Sequence, residues 1–467
     1  MTSSPTVPRS PAAPSRPRRS LAPDISRGLM LALIAMANVS WYLWGHEGSV
    51  GMSPHVPATG PLDSAVQFVM TVAVDHRAMP LFAFLFGYGM VQFYRSRIDR
   101  GMEAGVVRIM MRRRHWAMLL LGFLHAALLF YGDILGAYAV AALLLVWIFF
   151  GRRTRTLTIW LIVLTSIMVL YALFSAVSAL VLAFLAPPEA LAEMEAGMAG
   201  FGMGFIRDLA YGQPYLISIL TRTGMWLFAL VPAVFMGPPL MILLGWIAAR
   251  HRVLDEPWRH VRLLRRVAIG GIAIGWLGGL PDALTYVGVL PMPEAVAWGF
   301  VGITSVSGMA CGVGYAAAFG LLAARLERHG LPAAALSAEG PASRSGATAE
   351  QTPAQRAYGV PAATEMPVTE ARPGPLVCAL SAVGQRSLTF YLFQSLLLAP
   401  IMAGWGFGLG AQLSTAPAVA IALAVWLVSL PLAALLDSQG RRGPAEALLR
   451  RMTYGRHETR RPRKATT

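Results

Sequence analysis

The stretch RRRHWAMLLLGFLHAALLFYGDILGAY, residues 112–138, decides the predicted fold. It begins with three arginines and continues as an apolar run that contains one histidine, His125. Gly132 and Asp133 interrupt this run before a second apolar segment starts. A basic flank, an apolar run and a polar turn predict two helices that cross a bilayer as a hairpin. Because an ionisable side chain at membrane depth is costly, His125 is a candidate functional residue.

The composition of the chain predicts an all-α, polytopic membrane protein. Of its 467 residues, 56% are hydrophobic and only 13% are charged, whereas soluble domains carry about 25% charged residues. Apolar runs of about 20 residues recur, and each is long enough to cross the hydrocarbon core of a bilayer. The two cysteines support neither a disulfide framework nor a metal-binding spacing.

The apolar runs predict about ten membrane helices with both termini in the cytoplasm. The arginines fall in alternate loops, as the positive-inside rule requires, so the formal charge of +16 reflects topology and not nucleic-acid binding. This predicts a multi-pass protein of the plasma (inner) membrane. The predicted helices cover 28–44, 78–94, 115–131, 134–150, 157–185, 224–249, 267–289, 297–324, 387–403 and 416–436.

Polar segments divide the chain into five parts. Pro-, Ser- and Ala-rich composition without apolar periodicity predicts disorder, and basic composition predicts a cytoplasmic tail. A short amphipathic helix at 62–74 is expected on or in the membrane surface. The parts are a disordered basic N-terminal tail (1–27), an eight-helix membrane region (28–326), a disordered cytoplasmic linker (327–375), a two-helix membrane region (376–440) and a basic cytoplasmic tail (441–467).

Polar residues near the outer ends of these helices could carry chemistry. A histidine of near-neutral pKa can act as a general base, and a neighbouring carboxylate can orient it. Amide and phenol groups can donate to a developing oxyanion. The same groups suit a proton relay in a transporter, so these residue types leave both classes open. The candidates are His46, His55, Asp63, Asp75, His76, Arg77 and Asp133 on the outer side, and Asn38, His125, Tyr138 and Gln394 deeper in the membrane.

Several of these candidates also have a structural explanation. His46 and His55 lie in a Gly- and Pro-containing loop, where a solvated histidine is ordinary. Asp75 and Asp133 precede predicted helices and would cap them. Arg77 would extend to lipid headgroups.

His125 has its own alternative. At about 1.5 Å per residue it lies roughly 16 Å from Arg114, near the middle of the bilayer. Gly122 and Ala126 form a pair of small residues beside it, which favours close helix packing. A neutral histidine that hydrogen-bonds between two closely packed helices would explain the residue without catalysis.

Five stretches of the chain resemble one membrane-protein family in both motif and order. They are DISRGLMLALIAMANVSW (24–41), FAFLFGYGM (82–90), RRHWAMLLLGFLHAALLFYGDILGAYA (113–139), VGQRSLTFYLFQSLL (383–397) and GPAEALLRRMTYG (443–455). The sequence is therefore similar to the YeiB-like membrane proteins, which are named for domain of unknown function number 418. That family is distantly similar to transmembrane acyltransferases such as heparan-glucosaminide N-acetyltransferase.

The resemblance implies a core of about ten helices and acyl-CoA as a cytoplasmic co-substrate. It also implies Asn38 and His46 as counterparts of the asparagine and histidine that those enzymes carry after their first helix. His76 competes with His46 for that role.

We therefore expect a membrane acyltransferase that acts on a small-molecule or cell-envelope acceptor at the outer face. His46 or His76 would be the base, with Asp133 in support. The phosphates of acyl-CoA would bind the arginines near the inner ends, and no metal is expected. The predicted phosphate-binding residues are Arg112, Arg113 and Arg114, and the supporting polar core is Asn38, Asp75, Arg77, His125, Tyr138 and Gln394.

A transporter or permease for a small molecule or a lipid-linked metabolite is the alternative. The lipid bilayer is the partner in either case, and a homo-oligomer is compatible with both. No inverted repeat of the kind common in transporters is evident, which favours the enzyme.

Overall fold

The computed structural model of the chain describes residues 21–46, 54–199, 202–235, 237–329 and 374–454. Within these ranges the regular secondary structure is helical, as predicted. The α-helices are numbered in chain order. They are α1 (Ala22–Val39), α2 (Pro61–Ala73), α3 (Ala78–Ile98), α4 (Ala104–Leu128), α5 (Ile134–Phe149), α6 (Thr154–Leu185), α7 (Pro188–Ala199), α8 (Met203–Arg207), α9 (Tyr215–Phe235), α10 (Gly237–Arg250), α11 (Val261–Tyr286), α12 (Val301–His329), α13 (Pro375–Gln385), α14 (Ser387–Met402), α15 (Thr415–Ser438) and α16 (Pro444–Tyr454).

Several of these helices have the length and apolar character of membrane spans. Seven helical stretches in the described ranges qualify, or eight if the bent pair α13 and α14 counts as one span. α6 is 32 residues long and exposes large apolar side chains, among them Phe174 at 71% and Leu170 at 66%. An apolar surface of this kind is typical of contact with lipid. The chain is a multi-pass membrane protein, while ten spans and cytoplasmic termini stay predictions.

The predicted hairpin corresponds to α4 and α5. α4 begins at Ala104 and not at residue 115, so the arginines at 112–114 lie inside the helix instead of preceding it. Residues 104–111 (AGVVRIMM) are mostly apolar, but Arg108 and the arginines at 112–114 made this part of the chain look like a cytoplasmic loop. They are part of a helix that packs against α16, a tertiary contact that the local sequence does not show.

Asp133 caps the second helix of the hairpin. α5 begins at Ile134, as predicted. The Oδ2 atom of Asp133 accepts a hydrogen bond from the backbone nitrogen of Gly136 at 2.7 Å, which satisfies a donor at the helix N-terminus. α4 packs so closely against α5 that a Cβ atom added to Gly122 would lie 2.4 Å from the Gly136 nitrogen. The close packing predicted around Gly122 is therefore confirmed.

A short non-helical turn at Asp75, His76 and Arg77 separates α2 from α3, although the two helices together form one long apolar stretch, Pro61–Ile98. The short helix predicted at 62–74 is α2. His76 has a left-handed backbone with φ of 58°, which is uncommon for a residue other than glycine. The break sends the three side chains toward different partners.

Two other parts of the chain differ from the predicted helices. The predicted helix 224–249 is two helices, because a new helix begins at Gly237, within the Gly-Pro-Pro sequence that was expected to kink it. The predicted outer segment 187–222 contains α7, α8, the start of α9 and a π-helical turn, Asp208–Gly212. The predicted C-terminal tail (441–467) contains one helix, α16.

The bundle has two distinguishable ends. At the first, called the basic end, many arginines gather, and Arg386 pairs with Asp437 at 3.0 Å. At the opposite, distal end, the Nε1 atom of Trp44 donates to the carbonyl oxygen of Met402 at 2.9 Å. α1 and α14 run from one end to the other. The basic end is the one that the positive-inside rule assigns to the cytoplasm, and that assignment stays a prediction.

Candidate functional site

His125 and Asp133 form a buried pair where α4 and α5 meet. The Nδ1 atom of His125 lies 2.8 Å from Oδ1 of Asp133, and the residues are 3% and 6% exposed. The other ring nitrogen of His125, Nε2, has no hydrogen-bond partner within the described ranges. A histidine whose Nδ1–H is held by a carboxylate presents Nε2 as a proton acceptor. The pair therefore has the geometry of a general base and its orienting group.

Asp133 makes two further hydrogen bonds that fix its position. Its Oδ2 atom caps α5 through Gly136, and its Oδ1 atom accepts a hydrogen bond from the hydroxyl of Tyr391 at 3.3 Å. The Tyr391 ring centroid lies 5.0 Å from that of His125. The capping and functional explanations of Asp133 are thus compatible, because each uses a different oxygen of the carboxylate.

A cavity of about 1060 Å³ opens among α3, α4, α14 and α16. Its deep part is lined by aromatic side chains that include Phe82, Phe86 and Tyr391, so it reaches the residue that contacts Asp133. Arginines surround the remainder of the cavity. Such a space suits a ligand with an anionic head and a less polar tail. The lining arginines are Arg27, Arg95, Arg97, Arg100, Arg114, Arg442 and Arg450.

Of the three arginines predicted to hold phosphates, Arg114 lines this cavity. Its guanidinium carbon lies 5.8 Å from the ring centroid of Phe93. Arg112 and Arg113 are exposed on other faces of α4 and are not among the lining residues. The neighbouring His115 is buried against the cavity. It was not among the residues predicted from the sequence, although it directly follows Arg114.

The two histidines predicted as bases lie apart from Asp133. His46 is half-buried at the distal end, with Nε2 3.1 Å from the carbonyl oxygen of Gly410. His76 is exposed, and its Nδ1 atom is 3.3 Å from the hydroxyl of Ser305. Asp133 hydrogen-bonds to neither in the part of the chain that the structure describes. Their catalytic roles stay predictions.

His55 is more deeply placed than the sequence suggested. It is fully buried, so its interpretation as a solvated loop residue is wrong. Its Nδ1 atom lies 3.1 Å from the hydroxyl of Ser40, and its Nε2 atom lies 2.7 Å from Oδ2 of Asp75. Ser40 and Asp75 lie 15 and 20 positions from His55 in the sequence. No local sequence pattern could therefore reveal that His55 is buried between them.

Arg77 is also buried, so the predicted extension to lipid headgroups is wrong. Its guanidinium donates to the carbonyl oxygens of Asp75 at 2.5 Å and Gly275 at 2.7 Å. Asp75 therefore belongs to the His55 group, while Arg77 ties the break between α2 and α3 to α11. These contacts assign Arg77 a structural role.

The remaining residues of the predicted polar core lie around the His125–Asp133 pair or near the end of α1. The Tyr138 hydroxyl donates to the carbonyl oxygen of Met79 at 2.8 Å, and its ring stacks 5.2 Å from that of Phe82. Gln394 donates through Nε2 to the carbonyl oxygen of Leu31 at 3.0 Å. Asn38 is half-buried near the C-terminal end of α1.

The arrangement places a candidate base next to an arginine-lined cavity. Within the described ranges, no group of three or more His, Cys, Asp or Glu side chains is arranged to hold a metal ion. The absence of a metal in the reaction nevertheless stays a prediction. What the geometry shows is an oriented imidazole, a phenol beside it and an arginine-rich approach to both.

Fold and site together define a multi-pass helical membrane protein with a polar centre. Residues 248–341 and 362–456 match the family model described as "Protein of unknown function (DUF418)". This match covers the C-terminal part of the chain and confirms the resemblance inferred from the motifs.

A curated relative from Bacillus subtilis (strain 168), described as "Uncharacterized protein YxaH", is similar to part of the chain. The two are 29% identical over 221 residues, which cover 46% of this chain and 52% of the relative. The chain thus aligns with about half the length of that relative. No solved structure matches the chain.

Proposed function

We propose that the protein is a membrane acyltransferase that transfers an acyl group from acyl-CoA, bound at the basic end, to an acceptor. The supporting observation is the arginine-lined cavity, which ends at Tyr391 beside the His125–Asp133 pair. The match to the DUF418 model leaves the reaction open, because that model describes a protein of unknown function.

The cavity suits acyl-CoA because its two parts match the two parts of that molecule. The phosphates of acyl-CoA would bind guanidinium groups such as those of Arg100 and Arg114. Charge-assisted hydrogen bonds from arginine to phosphate are among the strongest in proteins. The less polar pantetheine chain would extend past Phe82 and Phe86 toward Tyr391, which brings the thioester to the pair.

The chemistry at the pair would be general base catalysis. The Nε2 atom of His125 takes the proton of the acceptor's hydroxyl or amine as that group attacks the thioester carbonyl. Asp133 holds Nδ1–H and stabilises the imidazolium that forms. The C–S bond then breaks, and the departing thiolate takes the proton from His125, so the reaction forms an ester or amide and free CoA. The Tyr391 hydroxyl, which donates to Asp133 here, would stabilise the oxyanion by turning its proton to the substrate.

His125 suits the role of base better than His46 or His76 because of its partner. Asp133 orients its ring, whereas His46 contacts a carbonyl oxygen and His76 a serine hydroxyl. A carboxylate both selects the tautomer and stabilises the charged form of the ring. We therefore assign proton transfer to His125.

The test is acyl transfer by the full-length protein in liposomes. Labelled acetyl-CoA would be supplied with glucose, glucosamine and ethanolamine as acceptor probes. His125→Gln is expected to lower transfer by about 10²- to 10⁴-fold, with unchanged CoA binding. His46→Gln and His76→Gln provide the comparison. Wild-type transfer by His125→Gln would contradict the mechanism. Flux of a probe across the liposome membrane without CoA release would favour the transporter.

A further inference from the structure

His115 lies on the face of α4 that lines the cavity. Residues at spacings of three and four share one side of a helix, and four residues of α4 in the lining have that spacing. They are Met111, Arg114, His115 and Met118. From α3, the ring centroid of Phe86 lies 5.9 Å from that of His115. His115 therefore lies where the basic part of the cavity meets its aromatic part.

The side chain of His115 is buried without a complete set of partners inside the chain. The residue is 1% exposed, and its Nδ1 atom has no hydrogen-bond partner within the described ranges. Nearly all buried polar groups in native proteins are hydrogen-bonded. An unpaired nitrogen on a side chain that lines a cavity indicates that a ligand in the cavity supplies the partner.

Other polar side chains of the cavity lining are used by the protein itself. Gln92 donates through Nε2 to Oδ1 of Asp255 at 2.6 Å. Glu446 accepts a hydrogen bond from the backbone nitrogen of Leu388 at 2.8 Å, and the hydroxyl of Tyr391 donates to Asp133. His115 differs from these residues because its Nδ1 atom is left for a ligand.

The neutral form of the His115 ring fits its surroundings. Arg114 directly precedes it, and a second positive charge beside a guanidinium is unfavourable in a buried position. A neutral imidazole has one N–H donor and one acceptor nitrogen. It therefore suits an uncharged polar group, while the arginines of the cavity suit phosphates.

An amide is the uncharged group that fits Nδ1 best. An amide carries both an N–H donor and a carbonyl acceptor, so it can pair with Nδ1 whichever ring nitrogen holds the proton. A hydrocarbon chain offers neither and would leave the nitrogen unpaired. The pantetheine chain of coenzyme A carries amide groups between its phosphates and its sulfur, whereas the tail of an anionic lipid is hydrocarbon.

We infer that His115 binds an amide group in the pantetheine chain of acyl-CoA. This inference rests on the proposed function and adds that the middle of the cavity selects an amide-containing chain over a hydrocarbon chain. His115 would hold the chain between the arginines that bind the phosphates and Tyr391 beside the His125–Asp133 pair. Proton transfer remains with His125.

The test compares two probes with the full-length protein in nanodiscs. They are CoA and adenosine 3′,5′-bisphosphate, which has the nucleotide and phosphates but no pantetheine chain. His115→Leu should weaken CoA binding by about tenfold, as expected for loss of one hydrogen bond, and leave the bisphosphate unaffected. His115→Asn should regain most of the CoA affinity, because its side-chain amide can take the place of Nδ1.

Two further variants on the same face of α4 are the controls. Arg114→Gln should weaken both probes, because it removes a contact to phosphate. Met118→Leu conserves volume and removes no hydrogen-bonding group, so it should change neither affinity.

Thermal unfolding gives a readout that separates binding from structure. His115→Leu removes a buried polar atom that lacks a partner, so the Tm of the unliganded variant should equal or exceed that of the wild type. The rise in Tm on adding CoA should be smaller in the variant, because a ligand stabilises the folded state according to its affinity.

The outcomes distinguish the inference from the proposed function. If His115→Leu weakens both probes equally, the change acts on the shape of the cavity and the inference fails. If CoA binds equally well to this variant and to the wild type, the inference fails while CoA binding still supports the acyltransferase. If the wild type binds neither probe, the acyltransferase proposal fails as well. His115→Met replaces the leucine variant if that variant does not fold.

Discussion

Asp133 shows how one residue serves both structure and function. Its position is set by the start of α5, because Oδ2 accepts from the Gly136 nitrogen at the first turn. That constraint leaves Oδ1 facing Nδ1 of His125 at 2.8 Å. A carboxylate fixed to a helix terminus orients an imidazole more rigidly than one on a free loop.

Replacing Asp133 separates these two roles. Asparagine also caps helices, so Asp133→Asn should fold with nearly unchanged Tm, yet transfer should fall by about 10²- to 10⁴-fold because the charge on Oδ1 is lost. Asp133→Ala should lose the cap as well and cost about 0.5–2 kcal/mol of stability. Thermal unfolding and acyl transfer measure the two effects. Full transfer by the asparagine variant would exclude Asp133 as the orienting carboxylate.

Among the elements, α4 and α5 hold the pair through close contact at a glycine. A Cβ atom at Gly122 would lie 2.4 Å from the Gly136 nitrogen and 2.6 Å from Asp133 Oδ2. Gly122→Ala should therefore separate the helices and cost about 1–3 kcal/mol. Gly224→Ala on α9, where nothing lies within 4 Å of the added atom, should be neutral or stabilising. Equal Tm values for the two variants would contradict this packing.

The C-terminal helix α16 forms one wall of the cavity. Glu446 accepts hydrogen bonds from the backbone nitrogens of Leu388 at 2.8 Å and Thr389 at 3.1 Å, which caps α14. α16 also brings Arg450 and Tyr454 to the cavity lining. The motif GPAEALLRRMTYG (443–455) thus has a physical role. Through Glu446 it holds the basic helix α16 against α14, the helix that carries Tyr391.

Glu446→Ala should loosen α16 and weaken CoA binding, because the cavity loses part of its wall. We expect faster protease cleavage after residue 440 and a loss of about tenfold in CoA affinity, corresponding to one charge-assisted contact. Glu189→Ala, an exposed change on α7, is the control. Unchanged cleavage and affinity would show that Glu446 does not hold α16 in place.

The sequence predicted what depends on local pattern and missed what depends on distant contacts. The start of α5 and its cap follow from Gly132 and Asp133, which stand between two apolar runs. Tyr391, by contrast, reaches Asp133 across 258 residues, and no local signal reports that contact. The burial of His55 depends in the same way on packing between separate elements.

At the scale of the whole molecule, the two ends of the bundle differ in chemistry. The buried His125–Asp133 pair lies between them. Arginines surround the cavity at the basic end, and uncharged tyrosines gather toward the distal end. This separation would suit an enzyme whose anionic donor binds at the basic end. A carrier that moves one solute through both regions would need both to suit the same ligand.

Arg114 provides a direct test of the donor side. Arg114→Gln removes a guanidinium from the cavity lining, so CoA affinity should fall by about 10- to 100-fold, as expected for loss of one charge-assisted hydrogen bond worth about 1.5–3 kcal/mol. The wild-type affinity should also fall more steeply with added salt than that of the variant, because one fewer charge contributes. Arg265→Gln, an exposed change on α11 away from the cavity, is the matched control. Equal losses in the two variants would indicate a general surface-charge effect and would remove the cavity as the CoA site.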